Sequence, residues 1–263
     1  MPSDEIVVVH TSDVHVDHDY NARRFGGDGV GPLRAVIAAA EIARADLLLL
    51  VGDTFESNRA PERLIVETAR ALEAYGRHVV ILPGNHDPVV EGGVYHHPAI
   101  NRLPNVSILG ATHGESQNAR HGEAVILDAF GLEVWGRAHR HYGDMDPLAA
   151  PPPRTSRWRI ALAHGHYEER PDRSIRARPS WLVGADEITA TQADYVAFGH
   201  WNRAVRVGLC AIPAFYSGSP DYAGTVNVVR LGAAGVVVDR AALTLPPEVL
   251  AETQGYSSGA GRG

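Results

Sequence analysis

Apolar residues along this chain gather into short, nearly continuous runs, and five of the runs stop abruptly on fragments rich in Asp, Asn and His. Residues 6–9 read as a β-branched strand. Over residues 32–45, Leu33, Val36, Ile37 and Ala40 recur at helical spacing, with Pro32 where a first turn tolerates it. Residues 46–51 are apolar almost throughout, the pattern of a strand covered on both faces. Residues 61–75 form a second helical segment, closed by Gly76 as a C-terminal cap. Residues 78–82 repeat the buried-strand pattern. The first third therefore predicts β-α-β-α-β, with parallel strands and right-handed crossovers.

The pattern then changes. Residues 106–109, 123–128 and 132–136 are short strands, the spacing of which predicts antiparallel pairing. Residues 139–157, with Pro151-Pro152-Pro153, lack periodicity and predict an exposed loop. Residues 159–163 and 195–198 are further strands, and 204–207, 215–217, 225–229 and 236–239 predict a closing β-meander. Residues 1–250 are expected to form a single domain and residues 251–263 a disordered tail.

Composition narrows the class. An apolar content of 44% and a charged content of 21% are those of a soluble globular protein. No apolar run approaches the roughly 20 residues of a membrane span, so no membrane partner is expected. The acidic N-terminus leads directly into a strand, unlike a signal peptide. The lone Cys210 excludes an internal disulfide and fits a cytoplasmic location. A net charge of −7 argues against nonspecific coating of nucleic acid. Residues 137–178 nevertheless hold nine arginines against five acids. That basic segment is either a phosphate-backbone footprint or a solvated loop. Within it, Arg157, Arg159 and Arg173 are the candidates for substrate binding.

The five fragments carry the chemistry. They are Asp13-Val14-His15, Gly52-Asp53, Gly84-Asn85-His86-Asp87, His164-Gly165 and Gly199-His200-Trp201-Asn202. Each follows an apolar run, so each is expected at the C-terminal end of a strand, where open α/β sheets gather ligands. Carboxylates, imidazoles and an amide together suit divalent cations. A two-metal centre needs a shared ligand, and Asp53 is the natural bridging carboxylate. Asp13 and His15, two apart in an extended segment, point the same way and suit one ion. Asn85, His164 and His200 suit the other. Two divalent ions, offset by Asp13, Asp53 and a bridging hydroxide, leave roughly one net positive charge for in-line attack on a phosphodiester. His86 is expected to assist the leaving oxygen, and Asp87 to orient His86. His166 is expected as a substrate-side neighbour. His10, His18, His96, His97, His113, His121, His139 and His141 belong to no fragment and read as surface or loop histidines.

In order and spacing the fragments resemble the calcineurin-like metallophosphoesterase superfamily. The stretches His10–His15, LLLVGDTFESNR (48–59), DYVAFGH (194–200) and YSGSP (216–220) are similar to SbcD and its double-strand-break nuclease relatives. The resemblance spans residues 5–230. It implies an α/β (α+β) four-layer fold, with two mixed β-sheets packed as a sandwich and helices outside. It also implies manganese-dependent hydrolysis of DNA phosphodiesters. Single strands are a candidate form of that substrate, and Fe, Zn or Mg are other candidate metals. The first-metal ligands would be Asp13, His15, Asp53 and Asn202, and the second-metal ligands Asp53, Asn85, His164 and His200. His86 would be the catalytic histidine. Asn202 stands where the family usually has histidine, and Glu56 where some exonucleases carry another histidine. The chain stops where those nucleases continue into a DNA-capping domain and an ATPase-binding segment, so an SbcC-type ATPase partner is not expected. The alternatives are a small-substrate phosphodiesterase, acting on a cyclic nucleotide or glycerophosphodiester, and a non-catalytic scaffold. Retention of His86 and nearly all the ligands argues against the scaffold.

Overall fold

A computed structural model describes residues 5–111, 123–174, 180–208 and 211–250. The expected tail at 251–263 lies outside them, as do His113, His121, Arg176, Arg178 and Cys210. In chain order the first half comprises β1 (Ile6–Thr11), α1 (Tyr20–Arg24), α2 (Gly31–Ile42), β2 (Leu47–Val51), α3 (Glu62–Tyr75), β3 (His78–Leu82), α4 (Pro98–Asn101) and β4 (Val106–Ile108). The second half comprises β5 (Glu123–Leu127), β6 (Leu132–Gly136), β7 (Trp158–His164), β8 (His166–Tyr167), β9 (Leu182–Val183), α5 (Ala185–Ala190) and β10 (Tyr195–Gly199). It closes with β11 (Val205–Arg206), β12 (Ala214–Tyr216), α6 (Pro220–Ala223), β13 (Thr225–Gly232) and β14 (Gly235–Ala242).

The strands form two six-stranded sheets, ordered β14-β13-β1-β2-β3-β4 and β11-β12-β10-β7-β6-β5. Continuous apolar runs arise because both faces of the central strands are covered. Leu47, Leu49 and Val51 of β2 pack toward β7 and β10 with Leu162 and Ala197, whereas Leu48 and Leu50 pack under Leu33, Val36, Leu64 and Leu72 of α2 and α3. On the second sheet, Ala161, Ala163, Val196 and Phe198 turn outward to Ile188 of α5 and Leu148. The layers are thus helix, sheet, sheet, helix, the expected four-layer α/β sandwich. Gly76 ends α3 at φ 66°, a left-handed cap that costs glycine nothing.

Three expectations fail on tertiary grounds. β4 pairs parallel with β3, whereas β5 and β6 form a separate antiparallel pair in the other sheet. The expected meander is split: β11 and β12 extend the second sheet, and β13 and β14 cross to the first, where β13 runs antiparallel to β1. Residues 139–157 are irregular but not wholly exposed, because His139 and Leu148 are buried. Among the described residues, no helix is long and apolar enough to cross a membrane.

Candidate metal centre

All five fragments lie just beyond, or at, the C-terminal ends of parallel strands. β1, β2 and β3 deliver Asp13/His15, Asp53 and Asn85/His86, and β7 and β10 deliver His164 and His200 from the facing sheet. The loop after β1 is held against the loop after β2, where the Asp13 N–H donates to Gly52 O and the His15 N–H to Asp53 O, both at 3.0 Å. Asp13 and His15 do not lie in an extended segment as expected. Their φ angles are 53° and 48°, with Asp53 at 51° and His200 at 97°. Left-handed backbone at non-glycine residues costs about 1–3 kcal/mol each and persists where surrounding contacts enforce it. Glycine is needed around them: a Cβ on Gly52 would lie 1.8 Å from His164 Nδ1, and one on Gly84 2.2 Å from Asp53 Oδ1.

Asp13, His15 and Asp53 bring donor atoms within 4.8 Å of one another, as do Asp53, His164 and His200. Asp53 belongs to both groups, the position expected of a bridging carboxylate. His164 Nδ1 lies 3.0 Å from the Val51 carbonyl, which accepts its proton and leaves Nε2 as the free lone pair. That Nε2 lies 3.1 Å from Asp53 Oδ2 and 3.0 Å from Asn85 Oδ1. His200 Nδ1 lies 3.1 Å from the same Asn85 oxygen. With the His164 proton on Nδ1, its Nε2 and the Asp53 and Asn85 oxygens converge as acceptors, and this donor set fits divalent metals. Without metal the proton takes that place. Burial disfavours the charged His164, but Asp53 outweighs it and carries its pKa up to about 9. Burial likewise pushes Asp53 up, and His164 more than reverses this, leaving it below the usual carboxylate range. Burial raises Asp13, which accepts from Ser12 Oγ at 2.5 Å and from the His200 N–H at 2.9 Å.

His86 stands beside this cluster, its ring 4.9 Å from that of His15. Its backbone N–H donates to Asp53 Oδ1 (2.9 Å), and its Nδ1 lies 3.1 Å from the Glu56 carbonyl and 3.4 Å from Glu56 Oε1. Glu56 Oε2 is 2.8 Å from His15 Nδ1, so one carboxylate joins both rings. Glu56, noted in the sequence only as a departure, is therefore the partner of His86. Asp87 is not. It is buried and accepts from the Gly84 and Phe55 N–H groups and from Tyr95 Oη (2.6 Å), which shapes the loop and leaves no contact with His86. Asn202 is exposed and lines a cavity with His15 and Glu56. His166 is exposed beside His200, with ring centres 5.1 Å apart.

The three arginines singled out in the sequence do not converge here. Arg159 is buried and ion-paired with Glu133, and Arg157 lies over Trp158 at the opposite end of β7 from His164. Arg173 is held by Asp146 and Glu187. Neither Arg157 nor Arg159 stands beside the donor cluster, and Arg173 is ion-paired on two sides. His10 and His139 are also buried and not on the surface. His10 Nδ1 lies 2.9 Å from Tyr195 Oη, and His139 Nε2 lies 3.0 Å from the His164 carbonyl. Each is a buried partner of a strand carrying a donor, a role with no local signal in sequence.

The family model described as calcineurin-like phosphoesterase matches residues 6–203. Among solved structures, the protein TT1561 of Thermus thermophilus superposes with a TM-score of 0.57 at 14% identity, covering 89% of this chain and 98% of that chain. A putative 5′-nucleotidase from Staphylococcus aureus, in complex with alpha-ketoglutarate, gives 0.53 at 12% identity, covering 97% of this chain and 58% of that chain. No curated protein sequence matches the chain. The two structures share the fold, and the family model runs from β1 past β10 to residue 203, a span that includes every candidate donor. On that match the chain belongs to the calcineurin-like phosphoesterase family and is a metal-dependent phosphoesterase.

Proposed function

We propose that the protein is a phosphodiesterase for small diesters, using two divalent ions and His86. The observation that carries this reading is a cavity of about 610 Å³ opening beside His15, Glu56 and Asn202 and walled by Tyr20, Arg59 and Tyr222. Its size is that of a small-molecule pocket. Asp13, His15, Asp53 and Asn202 would hold one ion, and Asp53, Asn85, His164 and His200 the other. When bound, such ions acidify water and offset the charge of a phosphodiester. Manganese suits this set, because the amide oxygens of Asn85 and Asn202 are harder donors than imidazole. Water supplies the new P–O bond, the ester P–O bond breaks, and His86 delivers a proton to the departing oxygen. Glu56 would hold the His86 ring in place, and its hydrogen bond to the ring raises the pKa and favours the proton-bearing form.

DNA is the second reading, supported by the SbcD-like text around the fragments. The placement of Arg157 and Arg159 away from the cavity makes it the weaker one. The test is hydrolysis of a 2′,3′-cyclic nucleotide, a glycerophosphodiester and single-stranded DNA, each with Mn²⁺ across a salt series and with His86→Ala as control. Turnover of a small diester that hardly responds to salt is expected. DNA turnover that exceeds it and falls steeply with salt would replace this reading with the nuclease.

A further inference from the structure

A second hollow, of about 240 Å³, opens on the His200 side of the centre, between β8 and the β11–β12 pair. It is lined by His166, Tyr167, Trp201, Val205, Arg206 and Tyr216, among others. Trp201 is 47% exposed, although it lies between two residues of the site. Its ring meets Tyr216 edge-on at 5.6 Å and His166 at 6.3 Å, and His166 in turn meets His200 at 5.1 Å. The back wall is fixed: Tyr216 Oη accepts from the Tyr167 N–H at 2.9 Å and donates to Gly165 O at 2.7 Å. Gly208 lets the wall close, since a Cβ there would lie 2.5 Å from Tyr167 Oη. Glu168 and Arg206 stand at the rim, one an acceptor and the other a donor.

We propose that this hollow is a nucleobase subsite, so that the substrate is a nucleotide diester whose base stacks on Trp201. The proposal rests on the phosphodiesterase reading above and names its substrate class. A half-exposed indole ring is suited to stacking with a flat heterocycle, and the charged rim to the edge of that heterocycle. A glycerol headgroup would leave the Trp201 face uncovered. The leaving alcohol would then occupy the cavity beside Glu56, and a nucleoside monophosphate would remain on the Trp201 side.

The experiment is equilibrium binding of adenosine 5′-monophosphate to the Mn²⁺-supplemented protein, against ribose 5-phosphate, which lacks only the base. Stacking predicts a preference of about 5- to 150-fold for the base-bearing ligand. Trp201→Ala should reduce that preference toward one, and Trp201→Phe should retain most of it. Val205→Trp, which fills the hollow without altering residues 200–202, should also remove it. Equal binding of the two ligands by the unmodified protein, or a preference that survives both Trp201→Ala and Val205→Trp, overturns the subsite. An intact preference without hydrolysis of any diester would overturn the phosphodiesterase reading instead. Competition by a single-stranded oligonucleotide that fades with salt would assign the base to a polymer, and absence of competition to a mononucleotide-sized diester.

Discussion

Asp53 and His164 meet across the two sheets, with Asp53 Oδ2 lying 3.1 Å from His164 Nε2. One comes from the end of β2 and the other from the end of β7, and both are almost wholly buried. A carboxylate and an imidazole placed so in the interior are costly alone and compensated by a proton or a metal ion.

Metal should therefore stabilise the fold measurably. An ion at 100 times its dissociation constant adds about 2.7 kcal/mol to unfolding. The thermal midpoint of chelator-treated protein should rise with Mn²⁺, and Asp53→Asn should abolish most of the rise because both donor groups use Asp53. Asn202→His should restore a stronger ligand and tighten Zn²⁺ binding in calorimetric titration. A midpoint indifferent to every divalent ion would contradict the metal assignment.

His86→Ala should lower turnover by roughly 10²–10⁴-fold with an alkyl leaving group. The loss should shrink for a p-nitrophenolate, which departs without a proton. Comparing kcat for the two substrates checks the role, and an equal loss on both would argue for positioning rather than proton delivery.

Arg159→Met should destabilise by about 3–5 kcal/mol, because it strands the buried Glu133 carboxylate. Urea unfolding measures this. Activity per folded molecule and its salt dependence should not change, because Arg159 lies at the far end of β7.

Gly52→Ala should be more damaging than its single methyl suggests. The new Cβ would overlap the His164 ring at a φ of 85°, so loss of stability exceeding about 2 kcal/mol and loss of the metal-dependent midpoint shift are expected together.

Stability should fall in mild acid through His10. Burial lowers its pKa to about 3, against an ordinary value of 6.5. Between those values the unfolded chain binds a proton that the folded chain refuses, so stability rises with pH across that window and is fully present above 6.5. His10→Asn should reduce the pH slope of the thermal midpoint between 6.5 and 4 without removing it, because burial also lowers His139 to about 4. An unchanged slope would assign the acid sensitivity to other groups.

The membership of the candidate site was readable because its signals are local. Asp13, His15, Asp53, Asn85, His164 and His200 each end an apolar run, and a strand must terminate where its apolar face stops being covered. The β-α-β-α-β start and the Gly76 cap follow from the same periodicity. The pairing of β4 with β3, and the transfer of β13 and β14 to the first sheet, leave no such mark. Short apolar strands pair equally well with several neighbours, and only the packing of both sheets selects among them.

The same division holds for chemistry. Residue types and their order determined that carboxylates, imidazoles and amides gather for divalent metals, because ligand identity is a property of the side chain. Tertiary structure alone decided which charges are free to act. It turned Glu56 toward His86, turned Asp87 away, buried Arg159 on Glu133 and left Trp201 open beside His200. A charge or an aromatic face does its work only where its partners and its exposure allow, and both are set by residues far away in the chain.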